Sequence, residues 1–475
     1  MSGTTNETTK LLDNVYATED TSNSHNMTVE EWKNMRAHNT SIFFDNMTFS
    51  SLDEMKASLL ETCCPGDGVL SGALSLITTA STPTMLSVPL AYAVGGWQFC
   101  LLSTLFCIVV TFISVRILTL ASISADSDDF ETVASFFLGA KGKWCIRGIL
   151  FFYSFGCSVV YLSFIKDSIT PIVVGRMTFL PDWLRSSTGG SCFLLLSAVM
   201  IAPLSFNSRL ASLRTNGLVS NLFTVFIIFA VAYRFFNPVP GAAVDTNEGG
   251  LGSGPFTNKH IIALVPYMFV APIFVFSYEV QTNVMAVIKD LHDKTGRKVL
   301  WSIFLALTVT TIFYTALGLF GCWTFPHLTS GNILSEYDSQ TDSLMMVCQL
   351  MCCFSAAISF IFCLFPARQA AFMFISDGKT PKIPKKMRIK LGLILSAAAT
   401  VLAVFLPDVA QVVSLLGALF SATLSMTFPA LFAMKMRSSG TYLTSWVDAV
   451  ISYVLFVFGI LFSLIGVLMA VVFSS

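Results

Sequence analysis

Eleven times along the chain an apolar run reaches about 20 residues, the length a helix needs to cross a hydrocarbon core of about 30 Å. The runs occupy 68–94, 97–121, 146–172, 190–206, 212–236, 259–284, 299–323, 342–367, 388–406, 408–434 and 447–473. The fourth is short and ends at Pro203, and the ninth and tenth are parted only by Leu406, Pro407 and Asp408, a tight turn. Residues 1–67 break the pattern. They are rich in Ser, Thr, Asn, Asp and Glu, lack a long apolar run, and are expected to form a mobile cytoplasmic tail.

Two of the runs are interrupted. LITTASTPTMLSVPLAYAVGGW (76–97) carries Pro83 and Pro89 and a hydroxyl cluster at Thr78, Thr79, Ser81, Thr82 and Thr84. IIALVPYMFVAPIFVFSYEVQTNVM (261–285) carries Pro266 and Pro272, followed by Ser277, Tyr278, Glu279 and Gln281. Proline removes a backbone donor and clashes with the preceding turn. In lipid, each freed group must find a protein partner or line a watery cavity. Pro83 and Pro272 are 189 residues apart, so the interruptions fall in the first and sixth runs. Interrupted spans at matching positions of two halves point to a carrier's central binding site. The expected architecture is an all-α membrane protein with a first repeat over 68–236, an inverted second repeat over 259–434, broken helices 1 and 6, and one extra helix over 447–473.

Composition agrees with the lipid setting: 54% of residues are hydrophobic and 12% charged, with a mean hydropathy of +0.72. A water-soluble globule needs more surface charge than this. The zero net charge gives no footprint for a nucleic-acid partner, and the basic residues are informative by position instead. With the N-terminus inside, 23 of the 28 basic residues fall in inner segments, leaving only Lys166, Arg176, Arg185, Arg234 and Lys259 outside. The positive-inside rule therefore places the N-terminus in the cytoplasm and Ser475 on the extracellular or luminal side. The plasma membrane is the expected location, ahead of a vacuolar or lysosomal one. The twelve cysteines match no zinc spacing and the five histidines do not cluster with them, so neither a metal nor a cofactor is expected.

The chain also resembles the amino acid/auxin permease family of secondary transporters. The resemblance is carried by LSVPLAYAVGGW (86–97), FGCSVVYLSFIKDSITPI (155–172), IAPLSF (201–206), FVFSYEVQTNVMAVIKDL (274–291), YTALGLFGCWTF (314–325), SAAISFIFCLFPARQA (355–370) and FPALF (428–432), in that order. It implies eleven spans, an inside N-terminus and an inverted five-plus-five, LeuT-like core. One departure stands out: Thr82-Pro83-Thr84 occupies the place of a Gly-x-Gly break. Threonines narrow the space that glycine opens to a substrate and add two hydroxyls.

A zwitterionic amino acid needs donors for its carboxylate and acceptors for its ammonium. Half-helix N-termini supply the former, and unwound carbonyls the latter. The carboxylate is expected at the amides of Thr82, Thr84 and Met85, near Ser81, and the ammonium at the carbonyls of Thr79 and Ala80. Phe274, Phe276 and Ser277 are assigned to the side-chain pocket and Tyr161 to its cap. Glu279 is the expected coupling residue, because a carboxylate well inside a span costs about 2.5–3.5 kcal/mol on insertion scales and marks a functional site. It matches the sixth-span glutamate of proton-coupled members. Its rival role is an ion pair with Lys289 or Arg297. Thr78 and Ser359 match the positions that hold sodium in sodium-coupled members. The favoured function is proton-coupled amino acid symport by alternating access. Sodium-coupled or uncoupled carriage and amino-acid sensing by a transceptor are the alternatives. No constellation of catalytic side chains appears inside the spans, so an enzyme is not expected.

Overall fold

The computed structural model describes residues 69–176, 181, 187–201, 214–238, 265–290, 296–376 and 383–474, apart from a few positions within the last two ranges. The expected tail, the end of the fourth run and the start of the sixth lie outside the described residues, as do the side chains of Lys289 and Arg297. The helices are α1 (Val69–Ala80), α2 (Val88–Gly95), α3 (Trp97–Ala125), α4 (Phe130–Arg176), α5 (Ser187–Ile201), α6 (Arg214–Phe236) and α7 (Val265–Ser277). They are followed by α8 (Gln281–Asp290), α9 (Gly296–Thr324), α10 (Ser343–Ile375), α11 (Lys385–Phe405), α12 (Val409–Leu416), α13 (Phe428–Ser438) and α14 (Trp446–Ser474). Among the described residues eight helical stretches are long and apolar enough to cross a membrane, or nine when α1 is joined to the segment after it.

That junction is a bend. α1 stops at Ala80, a 3-10 turn runs over Pro83–Ser87, and the axis changes direction by 51°. Pro83 opens the turn and Pro89 the first turn of α2, positions where a missing N–H costs least. The sixth run differs from the sequence expectation. Pro266 and Pro272 both lie inside a continuous α7, and the helical path is interrupted later, over Tyr278–Val280. α12 and the turn after it pack on α7 beside Pro272: Ser414 Oγ donates to the Phe269 carbonyl at 2.8 Å, and Gly417 lets the Pro272 carbonyl approach where a Cβ would overlap it.

Two further departures are visible. α4 begins at Phe130, well before the expected 146, because Gly139 (φ 70°, ψ −166°) turns the chain between a short arm and the span proper. The tenth run is not one regular helix: π-helical turns over Gly417–Ser421 and Thr423–Thr427 separate α12 from α13. The core sits where α4 packs along α10, α9 packs against α1, α2 and α6, and α7 packs against α2, α3 and α12. α14 is peripheral, with 22% of its most apolar window buried, against 67% for Val409–Ser438.

Candidate functional site

Backbone groups freed at the first bend are met from other helices. The Ser81 carbonyl accepts from Thr224 Oγ1 of α6 at 3.2 Å, and the Ala80 carbonyl from the Tyr314 hydroxyl of α9 at 2.7 Å. The turn also closes on itself, with the Thr82 amide donating to Ala80 O at 2.8 Å and the Met85 amide to Thr82 O at 3.1 Å. Two of the three amides assigned to a carboxylate are thus engaged inside the turn, and the Ala80 carbonyl assigned to an ammonium already has two donors. The physical reason is the Thr-Pro-Thr sequence, which draws the bend into a compact 3-10 turn. Thr82 Oγ1 and Thr84 Oγ1 lie 2.6 Å apart, Tyr161 faces Thr82, and the Ser81 hydroxyl is buried without a protein partner. Met85 is buried, and Thr79 Oγ1 donates back to Leu76 O at 2.8 Å.

The interruption after α7 is stitched in the same way. The Tyr278 carbonyl accepts from Thr111 Oγ1 of α3 at 3.2 Å, and the Val280 amide donates to Gln281 Oε1 at 2.9 Å. Ser277 uses its hydroxyl on Ile273 O of its own helix at 2.8 Å, while its carbonyl accepts from the Tyr314 hydroxyl at 2.9 Å. Phe274 and Phe276 are buried, their rings 6.1 Å from Tyr92 and 5.9 Å from Tyr153.

Glu279, 5% exposed, sits at the N-terminal end of α8. Its carboxylate accepts from the Tyr153 hydroxyl at 2.9 Å, the Thr282 amide at 3.0 Å and the Thr282 hydroxyl at 3.2 Å. The helix end adds partial positive charge beside it. A third polar group joins α1, α6 and α10: Asn221 Nδ2 donates to Thr78 Oγ1 at 2.8 Å, and the Ser220 and Ser355 hydroxyls are hydrogen-bonded. Asn221 Oδ1 is buried without a partner, and Ser359 is buried one turn beyond Ser355.

Chemically, the C-terminal carbonyls of α1 and α7 converge on one hydroxyl, an acceptor-rich spot. Donors gather instead at the start of α8. Tyr314, Tyr153, Thr224, Thr111 and Asn221 were not singled out from the sequence. Tyr314 opens the YTALGLFGCWTF stretch, but a tyrosine in an apolar run has the signature of packing.

A family model described as transmembrane amino acid transporter protein matches residues 65–472. The vacuolar amino acid transporter 5 of Schizosaccharomyces pombe is 26% identical over 280 residues, 57% of this chain and 61% of that relative, so the chain matches less than two thirds of it. The sodium-coupled neutral amino acid symporter 2 of Danio rerio is 22% identical over 364 residues, 73% of this chain and 71% of the relative. Among solved structures, MhsT in complex with L-phenylalanine superposes with a TM-score of 0.55 at 14% identity, covering 84% of this chain and 98% of that one. This last likeness concerns the fold.

Proposed function

Because the chain belongs to the transmembrane amino acid transporter protein family, we propose that it is a secondary active carrier that moves amino acids by alternating access, coupled to protons. In this reading eleven spans form an inverted five-plus-five core plus one helix, with the N-terminus in the cytoplasm and the C-terminus extracellular or luminal. The interruptions at Ser81–Thr82 and Tyr278–Val280 are the broken helices 1 and 6. The observation that carries the reading is their convergence: the last carbonyls of α1 and α7, Ala80 and Ser277, lie within hydrogen-bonding distance of one atom. The ends of two helices supply acceptors for an ammonium. Ser81, the Thr82–Thr84 hydroxyl pair and the Thr84 amide border the place assigned to the carboxylate, and Phe274 and Phe276 wall the side-chain pocket.

Glu279 is assigned the coupling proton. Its partners are neutral hydroxyls and an amide, so no cation fixes its charge among the described residues. Uptake of radiolabelled amino acids into proteoliposomes under an imposed pH gradient tests this. Wild-type flux should follow the gradient, and Glu279→Gln should transport with a flat pH profile. An unchanged profile in the variant removes Glu279 from the role.

One observation favours a second reading, sodium coupling. Thr78, Asn221, Ser81 and Ser359 bring neutral oxygens to the junction of α1, α6 and α10, two of them buried without a protein partner. Oxygen ligands of this kind suit a hard cation. Replacing sodium by choline in the same vesicles abolishes flux if this reading holds, and leaves it intact under proton coupling.

A further inference from the structure

Tyr314 is 1% exposed, and its ring meets that of Tyr278 edge-on at 5.3 Å. Its hydroxyl lies 2.7 Å from the Ala80 carbonyl and 2.9 Å from the Ser277 carbonyl. A phenol carries one proton, so at any instant it donates to only one of these acceptors. Both are the final carbonyls of their helices, and each helix end adds partial negative charge. One neutral side-chain hydroxyl is thus shared by two negative helix ends, one of which, Ala80 O, also accepts from the Thr82 amide. A primary ammonium offers three donors and a full positive charge, and charge-assisted hydrogen bonds are roughly twice as strong as neutral ones.

We propose that Tyr314 is a tethered competitor for the substrate's ammonium group: its hydroxyl holds the carbonyls of Ala80 and Ser277, and an ammonium reaches them only by displacing it from at least one of them. The hydroxyl therefore sets a selectivity threshold. A protonated amine with at least two N–H donors crosses it, whereas a solute without such donors leaves the Tyr314 bonds in place and draws nothing from the two carbonyls. Tyr314 is a specificity determinant through this competition, and it forms no bond to the solute's carboxylate. The inference rests on the amino acid carrier reading.

The test uses the full chain in lipid nanodiscs, with binding of the twenty standard L-amino acids measured by calorimetry. For each amino acid that binds, the desamino acid and the N-trimethyl derivative are measured beside it. Tyr314→Phe keeps the ring and its contact with Tyr278 while removing the competing proton. It should bind the amino acids about five- to tenfold more tightly, the effect of one net hydrogen bond, and leave the desamino acids unchanged. In the wild-type protein the N-trimethyl derivatives, charged but without N–H, should bind far more weakly than the primary amines. Equal affinity in Tyr314→Phe, or parallel weakening of amino and desamino acids, overturns the competition and leaves Tyr314 a structural staple. Trimethylated ligands binding the wild type as well as primary amines overturn it without any variant. A wild-type protein that binds none of the twenty removes the carrier reading and this inference with it.

Discussion

Two carboxylates, Glu279 and Asp408, are held by uncharged partners, and Asp408, outside the helices, gives a pH test. Asp408 lies between α11 and α12, where Oδ1 accepts from the Gly331 amide at 3.1 Å and the Ala410 amide at 3.3 Å. Burial, the largest cause, pushes its carboxyl above the ordinary value of 3.8, while the backbone donors pull it back. Two charged groups face this turn: Lys166, whose ammonium donates to Leu406 O at 3.2 Å, and Asp167, which feels the Asp408 charge. A carboxyl raised by folding binds its proton more tightly in the folded chain than in the unfolded one. Its contribution to stability therefore falls as pH rises above about 4. Asp408→Asn keeps an acceptor for the two amides and cannot ionise. Its melting temperature relative to wild type should rise between pH 4 and pH 7, and parallel profiles would show that the charge is not costly. Asp408 was legible in the sequence only as part of a turn, because its second partner, Gly331, is 77 residues away. Glu279 was legible as a charge in an apolar run, yet its partner Tyr153 was not, for the same reason of distance along the chain.

Helical elements show where sequence patterns stop being informative. The first bend falls at its proline, as the pattern predicts, because Pro83 opens a new turn and Thr224 and Tyr314 meet the carbonyls freed just upstream of it. The second interruption begins six residues beyond Pro272, which stays inside α7 with its carbonyl in the space left by Gly417 and Ser414 on the neighbouring Phe269 carbonyl. Periodicity along one segment carries no information about such a neighbour, and the π-helical turns after α12 were hidden in the same way. This packing predicts the sign of a substitution. A glycine replaced by alanine inside a helix ordinarily gains about 1 kcal/mol. At Gly417 the new Cβ would overlap the Pro272 carbonyl and press on Phe276 Cβ at 3.1 Å, both part of a backbone path that cannot swing aside. Gly417→Ala should lose roughly 1–3 kcal/mol of stability, the usual range for overpacking. Gly148→Ala is the control, for its Cβ meets only the tip of Phe374 at 4.0 Å. Thermal unfolding in detergent should separate the two, and equal midpoints would mean that α7 and the π-helical turns slide apart freely.

At the scale of the whole molecule, the proposed alternating access would require closures between the two proposed halves that are strong enough to hold and weak enough to part. One such closure joins α6 to α10 at the end assigned to the outside. Arg234 Nη2 donates to Asp342 Oδ1 at 2.8 Å, and Arg234 Nε lies 2.6 Å from Oδ2. Asp342 also caps α10 by accepting from the Leu344 and Met345 amides, so it stays anchored to that helix when the arginine leaves. The loop before it adds a second tie: Ser87 Oγ, at the end of the first bend's 3-10 turn, donates to Gly331 O at 2.6 Å, and the buried Asn332 donates to Ser168 of α4 at 3.0 Å. Bend, loop and ion pair thus close one end together, and loosening the pair should expose what lies beneath. Cys348 reports on it without an introduced probe, being fully buried on α10 within the electrostatic reach of both Arg234 and Asp342. Arg234→Gln should speed labelling of Cys348 by a membrane-impermeant maleimide at least about fivefold, the ratio given by 1 kcal/mol lost from the closed arrangement. Arg234→Lys keeps the charge but not the two-point contact and should fall between the two. Labelling that is equally slow in all three proteins would mean that this end does not open along the α6–α10 seam, and the moving boundary would then have to be sought at the opposite ends of the same helices.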